Sequence, residues 1–422
     1  MEMPRQIHAV KGTRDLLPPE TARWAAVEQT AREVFTAYGY HEIRTPILEE
    51  TDLFVRSVGE TTDIVGKQMY TFLDRKGRSL TLRPESTASV VRAFVQHGFT
   101  HRPLPAKLYY IGPQFRYERP QKGRYRQFHQ IGAELIGDPG PDCDGELILM
   151  MLRFLYALGF QDLVVQLNTV GDKASRAAYR EGLRAYLMPH REALGKDSRR
   201  RLEDNPLRIL DTKDPAERRL LEEAPELADY LNRESREHFE SVQRALERFE
   251  VAYRIEPRLV RGLDYYTRTV FEIVSEGLGA QDAIVGGGRY DGLVEELGGP
   301  DLPGIGFAIG EDRLLEVLPE SYARRVEAPP PVAVVPVGEV APLEALEVAE
   351  RLRSAGVSAA AELTGRSMKA ALKRADRSGV RYVLLIGEEE LAADRVTLKD
   401  LASGEQSTLA RSEVGDRLKE LV

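Results

Sequence analysis

The run Ala328-Pro329-Pro330-Pro331 constrains this chain most, because it can enter neither a helix nor a central strand. It divides the sequence into regions of different texture. After it, VAVVPVG from Val332 reads as a short buried strand, Ala341–Ala355 as a helix, and YVLLIGEEE from Tyr382 as a second strand. VTLKDLASGEQSTL then reads as a strand pair turning near Ser403-Gly404. Strands and helices alternating over about 90 residues predict a compact α/β domain at 332–422, with 328–331 as the linker.

The remaining 1–327 forms a second, larger domain, since 422 residues exceed what one ordinary core accommodates. Inside it, roughly 171–254 turns helical and highly charged. AERRLLEEAPELADYLNRESREHFESVQRALERFE carries its apolar residues at helical spacing, whereas the flanks read as strands and glycine-rich turns. The stretch is expected to be a helical insertion that makes the larger domain discontinuous. The fold class is therefore mixed, α/β with α+β character.

No stretch approaches the roughly 20 apolar residues of a membrane-spanning helix. MEMPRQIHAVKGTRD has no apolar run that could act as a secretory signal, and the lone Cys143 excludes an internal disulfide and a cysteine-built zinc site. The expected compartment is the cytoplasm. No spacing of histidines suggests a metal site made of protein side chains. A net charge of −8 gives no global attraction for nucleic acid, so any RNA must be held at local basic patches.

A phosphate-cradling GxxxxGK[ST] loop is absent, and GGGRYDG and GIGFAIG both miss the GxGxxG spacing. A nucleotide would have to be held by arginines. Gly112–Gly137 supplies them. It reads as an antiparallel hairpin in which Arg116 and Glu118 share one face, Phe115 and Tyr117 the other, and Phe128, Gln130 and Glu134 one parity of the return strand. His129 falls on the opposite parity and reads as structural. RGLDYYTRTVFE, from Arg261 to Glu272, adds a cation and two phenols, suited to a small polar substrate carrying a carboxylate.

FRYE, followed by a loop and an aromatic strand, resembles the second signature motif of class II aminoacyl-tRNA synthetases. GIGFAIGEDRLLEVL resembles the third, and RTPILEETDLF the first. TLRPEST, ERPQKGRYRQFHQ, RGLDYYTRTVFE and GGGRYDGL together resemble the histidyl-tRNA synthetase pattern, in the family order and across essentially the whole chain. The resemblance implies an antiparallel-sheet catalytic core and a C-terminal anticodon-binding domain. It implies activation of L-histidine with ATP and Mg²⁺, transfer to tRNA(His), and a homodimer formed through the segment containing Pro46.

By the same resemblance, Arg116 would hold the α-phosphate, Glu118 the adenine amino group, Arg313 the γ-phosphate, and Arg124 a further part of ATP. Glu134 and Tyr266, with Tyr265 beside them, would meet the imidazole. Glu85, Thr87 and Gln130 would take the α-ammonium group and Arg261 the carboxylate, with Arg261 and Arg116 as the catalytic pair. Gly286, Gly287, Gly288, Gly304 and Gly306 would let backbone approach the ligand, or alternatively let strands pack tightly. Arg119 and Gln121 would lie near the acceptor end of the tRNA. The stretch from Arg366 to Arg377 is either a phosphate-contacting face or an ordinary amphipathic surface helix. Two departures stand out. Asp312 replaces the usual Glu and is expected to alter helix-entry packing, and Ser86 replaces a common glycine and is expected to cap the following helix. The alternative function is a histidine-binding regulatory paralogue of histidine biosynthesis that charges no tRNA.

Overall fold

The computed structural model describes residues 6–59, 62–121, 123–210, 212, 214–260, 262–275, 283–325, 331–340 and 342–421. The chain separates into two compact units, Met1–Val326 and Glu327–Val422. Most of the proline run lies outside the described residues.

In the first unit the strands are β1 (His41–Glu42), β2 (Leu48–Glu50), β3 (Tyr70–Leu73), β4 (Ser79–Leu82), β5 (Ala106–Phe115), β6 (Gln127–Ile136), β7 (Leu163–Thr169), β8 (Tyr253–Ile255), β9 (Thr267–Ser275), β10 (Ala283–Arg289) and β11 (Gly304–Gly310). Eight of them form one sheet in the order β1-β5-β6-β11-β10-β9-β7-β8. The six inner strands are antiparallel, and the short edge strands β1 and β8 pair in parallel. A small antiparallel sheet, β2-β4-β3, stands apart.

Because side chains alternate along each strand, the register sets rows of residues on one face of the large sheet. One row runs Tyr110, Gly132, Ala308, Gly286, Glu272, Gln166, Arg254. The next runs Leu108, Glu134, Gly306, Gly288, Val270. The opposite face carries Tyr109, Ile131, Ala133, Leu135, Phe271 and Phe307, all buried under helices Glu20–Ala37 and Pro141–Ala157. Burying those aromatic and branched side chains is the main driving force for the layer.

The expected hairpin is present, but its first strand ends at Phe115, so Arg116 and Glu118 lie in the loop. The Arg116 amide still donates to the Arg126 carbonyl at 2.9 Å, which carries the pairing one residue beyond the strand. The charged stretch folds into helices Lys173–Leu187, Lys196–Asp204, Pro215–Leu220 and Arg233–Arg248, with short 3-10 turns between them. Asp172 caps the first of these, accepting from the Ser175 amide at 2.8 Å, and Ser175, Tyr179, Leu183 and Leu187 are buried at four-residue steps.

These helices do not share one core. Val242 and Leu246, on Arg233–Arg248, enter the core beneath the large sheet. Tyr179, Leu183 and Leu202 join a separate cluster that also holds Val91, Phe94, Tyr265, Tyr266 and Val270. A buried polar node ties the first arrangement. Fully buried Arg289 donates from Nε to Asp144 Oδ1 at 2.8 Å, while His238 Nε2 lies 2.9 Å from Asp144 Oδ2. Cys143 is buried beside them and burial pushes its thiol up in pKa.

The second unit contains β12 (Val332–Pro336), β13 (Ala359–Ala361), β14 (Tyr382–Ile386), β15 (Arg395–Asp400) and β16 (Gln406–Ala410) in the order β13-β12-β14-β15-β16. Val334, Leu384, Ile386, Val396 and the helix residue Leu352 make its core. The basic stretch forms helix Met368–Arg377, and Arg366 and Arg374 both pair with Glu362. Among the described residues no helix is long and apolar enough to cross a membrane.

Candidate active site

A cavity of about 1010 Å³ opens on the glycine-bearing face of the large sheet. Its lining includes Glu85, Thr87, Tyr110, Arg116, Glu118, Arg124, Gln130, Tyr265, Tyr266, Gly286, Tyr290, Gly306 and Arg313. Residues separated by more than 200 positions thus meet in one space.

At one end the groups are carboxyl, phenol and amide. Glu85 is 4% exposed, and its carboxylate accepts from the amides of Thr87 at 2.6 Å and Ala88 at 3.0 Å. It is therefore Glu85, rather than Ser86, that caps helix Thr87–Gln96. The Ser86 hydroxyl instead accepts from Gln114 Nε2 at 2.6 Å, because Gln114 on β5 faces it. Burial raises the Glu85 pKa against those two amides.

Glu134 is fully buried behind Thr87 and Tyr290 rather than in the cavity wall. Thr87 donates from Oγ1 to its Oε1 and Tyr290 donates from its hydroxyl to Oε2, each at 2.7 Å. Burial outweighs both hydrogen bonds and pushes its pKa up to about 8. Tyr265 and Tyr266 pack ring against ring at 4.8 Å, and Tyr265 meets Tyr290 edge-on at 5.9 Å. Gln130 is 8% exposed and its Oε1 has no hydrogen-bond partner among the described residues, leaving an acceptor for a ligand.

The other end is cationic. Arg116 donates from Nε to the Pro84 carbonyl at 2.8 Å and sits 5.3 Å from the Phe128 ring centroid, which aims it along the wall. Arg313 is the third residue of helix Glu311–Glu316, which follows β11, and Arg124 is exposed at the rim. Arg119 and Gln121 are exposed in the hairpin loop, where Gln121 and Arg124 pair through their backbones. Neither lines the cavity. Asp312 is buried, accepting from the His129 amide at 2.8 Å and from Arg14 Nη2 at 3.3 Å, so it fastens the helix entry to β6. His129 packs edge-on against Trp24 at 5.0 Å. Arg261 lies outside the described residues.

The glycines divide into two groups. Gly286 and Gly306 line the cavity. A Cβ on Gly306 would stand 1.7 Å from Glu134 Oε2, so the carboxylate occupies the room that a side chain would need. Gly287, Gly288 and Gly304 do not line it. A Cβ there would strike the Phe271 ring, the Thr269 carbonyl and the Tyr290 ring at 2.5, 2.6 and 2.2 Å respectively, so these three serve close packing.

Two family profiles match the chain, one described as histidyl-tRNA synthetase over residues 12–314 and one as an anticodon binding domain over residues 331–421. The chain belongs to the histidyl-tRNA synthetase family. Histidine–tRNA ligases of Synechococcus elongatus and Alkalilimnicola ehrlichii are each 50% identical to it. They align over 412 and 419 residues, which is 97% and 99% of this chain and 94% and 97% of those proteins. The apo histidyl-tRNA synthetase of S. aureus superposes with a TM-score of 0.82 at 37% identity, covering 98% of this chain and 99% of that one. A Bacillus halodurans protein described as an ATP phosphoribosyltransferase regulatory subunit/histidyl-tRNA synthetase superposes at 0.68 with 25% identity, covering 92% and 100%.

Within this histidyl-tRNA synthetase framework, sequence reasoning passed over Tyr110, Tyr290, Gln166, Glu272, Arg218 and Arg254, all of which line the cavity. Tyr290 had a signal. It follows Gly286 and Gly288 in strict alternation and so falls on their face. Gln166 and Arg254 had none, since only the sheet order sets β7 beside β9 and β8 beyond β7.

Proposed function

We propose that this protein activates L-histidine with ATP to histidyl-adenylate and then transfers histidine to the 3′ end of tRNA(His). The observation that carries the reading is the single cavity lined by Arg116 and Arg313 together with Glu85, Gln130, Tyr265 and Tyr266. Cations for a triphosphate and acceptors for an ammonium group converge there, as joining these two substrates requires.

The carboxylate of histidine is itself the nucleophile, so activation needs no general base. What it needs is alignment, and a positive charge where negative charge builds on the α-phosphate. Arg116 supplies the charge, with Arg261 on the attacking carboxylate. Arg313 and Arg124 hold the outer phosphates and Glu118 accepts from the adenine amino group. Glu85, Thr87 and Gln130 orient the α-ammonium group. Tyr265, Tyr266 and Tyr290 form the polar lining for the imidazole, with Glu134 behind Tyr290, and a site built to pair those nitrogens rejects apolar analogues by large factors. Mg²⁺ enters with ATP as part of that substrate. Among the described residues no group of three or more His, Cys, Asp or Glu side chains could hold it alone.

The second unit takes the anticodon, and Arg119 and Gln121 meet the acceptor end. A second copy of the chain covers the small sheet, where Ile47, Leu48, Phe72 and Leu73 are 42%, 45%, 46% and 70% exposed. The compartment is the cytoplasm.

Histidine-dependent exchange of labelled pyrophosphate into ATP, without tRNA, tests the proposal. Exchange with histidine and no other amino acid is the expected result. Histidine binding without exchange would refute it and favour the regulatory alternative.

A further inference from the structure

Arg176 stands near the start of helix Lys173–Leu187, outside the cavity, yet two of its hydrogen bonds reach the loop that carries Tyr265 and Tyr266. Nη1 donates to the Tyr266 carbonyl at 2.5 Å and Nη2 to the Asp264 carbonyl at 2.8 Å. Among the described residues it forms no ion pair, so a partly buried cation is directed at two main-chain oxygens. Such a placement costs desolvation, which the nearby Asp264 carboxylate offsets only in part. The cost shows in a guanidinium pKa lowered by burial.

The same loop is gripped a second time from the charged stretch. Asp264 Oδ1 accepts from Arg208 Nη2 at 2.9 Å and from Asn205 Nδ2 at 3.1 Å. Tyr179, Leu183 and Leu202 of that stretch also share one apolar cluster with Tyr265 and Tyr266. The two tyrosines immediately precede β9, which begins at Thr267, and their loop is held by side chains of the charged stretch as well as by the Asp264 amide donating to the Val58 carbonyl at 3.3 Å.

We propose that Arg176 is a positioning residue for histidine, fixing Tyr265 and Tyr266 through the two backbone carbonyls of their loop. This rests on the reading of those tyrosines as histidine contacts. Its reach is selective. Arg116 is held from Pro84 and Phe128, and Arg313 stands on the helix after β11, so the nucleotide arginines are seated independently of Arg176. A planar fork matches two carbonyls at once, whereas lysine offers a point charge on a shorter reach and holds the pair less rigidly.

The test is pyrophosphate exchange by full-length wild type, Arg176→Ala and Arg176→Lys, varying histidine and ATP separately. A hydrogen bond from a charged donor corresponds to roughly a 10- to 100-fold change. Arg176→Ala is expected to raise the KM for histidine by that factor while the KM for ATP moves less than about 2-fold, with Arg176→Lys in between. A general loss of structure would move both constants or only the amount of active protein. Unchanged KM for histidine in Arg176→Ala, or an equal rise for both substrates, overturns the proposal. If Arg176→Ala does not fold, Arg176→Lys decides: wild-type KM for histidine in that variant overturns it too. Absence of histidine-dependent exchange in the wild type would instead overturn the activation reading itself.

Discussion

Replacing Glu134 by glutamine should flatten the pH dependence of stability. In the folded protein the carboxyl titrates near 8, against 4.5 when unperturbed, because it is fully buried. Between pH 5 and pH 8 the unfolded chain has released this proton while the folded chain still holds it. Folding therefore takes up a proton, and stability falls as pH rises. Integrating the linkage relation over that interval gives a loss of about 3 kcal/mol attributable to this one group. Glutamine keeps an acceptor for Thr87 or Tyr290 and cannot titrate. Guanidinium unfolding at pH 5, 6, 7 and 8, at fixed protein concentration, measures the difference. The chain has one tryptophan, Trp24, 4% exposed in the first unit, so its fluorescence reports that unit alone. The gap between wild type and Glu134→Gln should change by about 3 kcal/mol in favour of the variant as pH rises. Parallel curves would mean that Glu134 is already ionised at pH 5 and that burial does not govern it.

Gly306→Ala drives a methyl into Glu134 and should cost about 1–3 kcal/mol of stability together with most histidine-dependent exchange; a thermal melt and an exchange assay on the same preparation check both. Arg116→Ala should lower single-turnover adenylate formation by about 10²–10³, the usual cost of one charge-stabilising donor, while histidine binding by calorimetry stays near wild type. Arg289→Met strands Asp144 as a buried carboxylate and should destabilise the first unit by about 3–5 kcal/mol, read from Trp24 unfolding. A cost below 1 kcal/mol would show that His238 alone compensates Asp144.

Much of the site was legible because strand alternation is a local code. Gln130 and Glu134 share a face, and His129 opposes them, on parity alone. Parity does not report depth, however. It could not tell that Gln130 lines the cavity while Glu134 sits behind Thr87 and Tyr290. Nor did it mark where β5 stops, because Arg116 leaves the ladder only after its amide has met Arg126. Ser86 misled for a physical reason. A serine at a helix start is a good cap, but the preceding glutamate reached two amides first. The C-terminal elements were readable from apolar runs and turn residues. The roles of Arg176, Arg289 and Asp144 depend on partners 88 or more positions away, and local pattern does not encode those.

The bare backbone of the cavity floor makes the pocket's mutational landscape one-sided. Gly306 has no room for even a methyl group, since Glu134 fills it, and Gly132 is closed in the same way by the Tyr110 hydroxyl, 2.3 Å from where a Cβ would stand. At these two positions nothing can be added, whereas Gly310, in the cavity lining, meets nothing nearer than the Arg313 Cβ at 4.0 Å and has room. At Gly306 and Gly132 the space can therefore change only by trimming the groups that face them, which enlarges it. Single substitutions can open space there, whereas filling it at either of these two glycines would need the glycine and its facing side chain to change together.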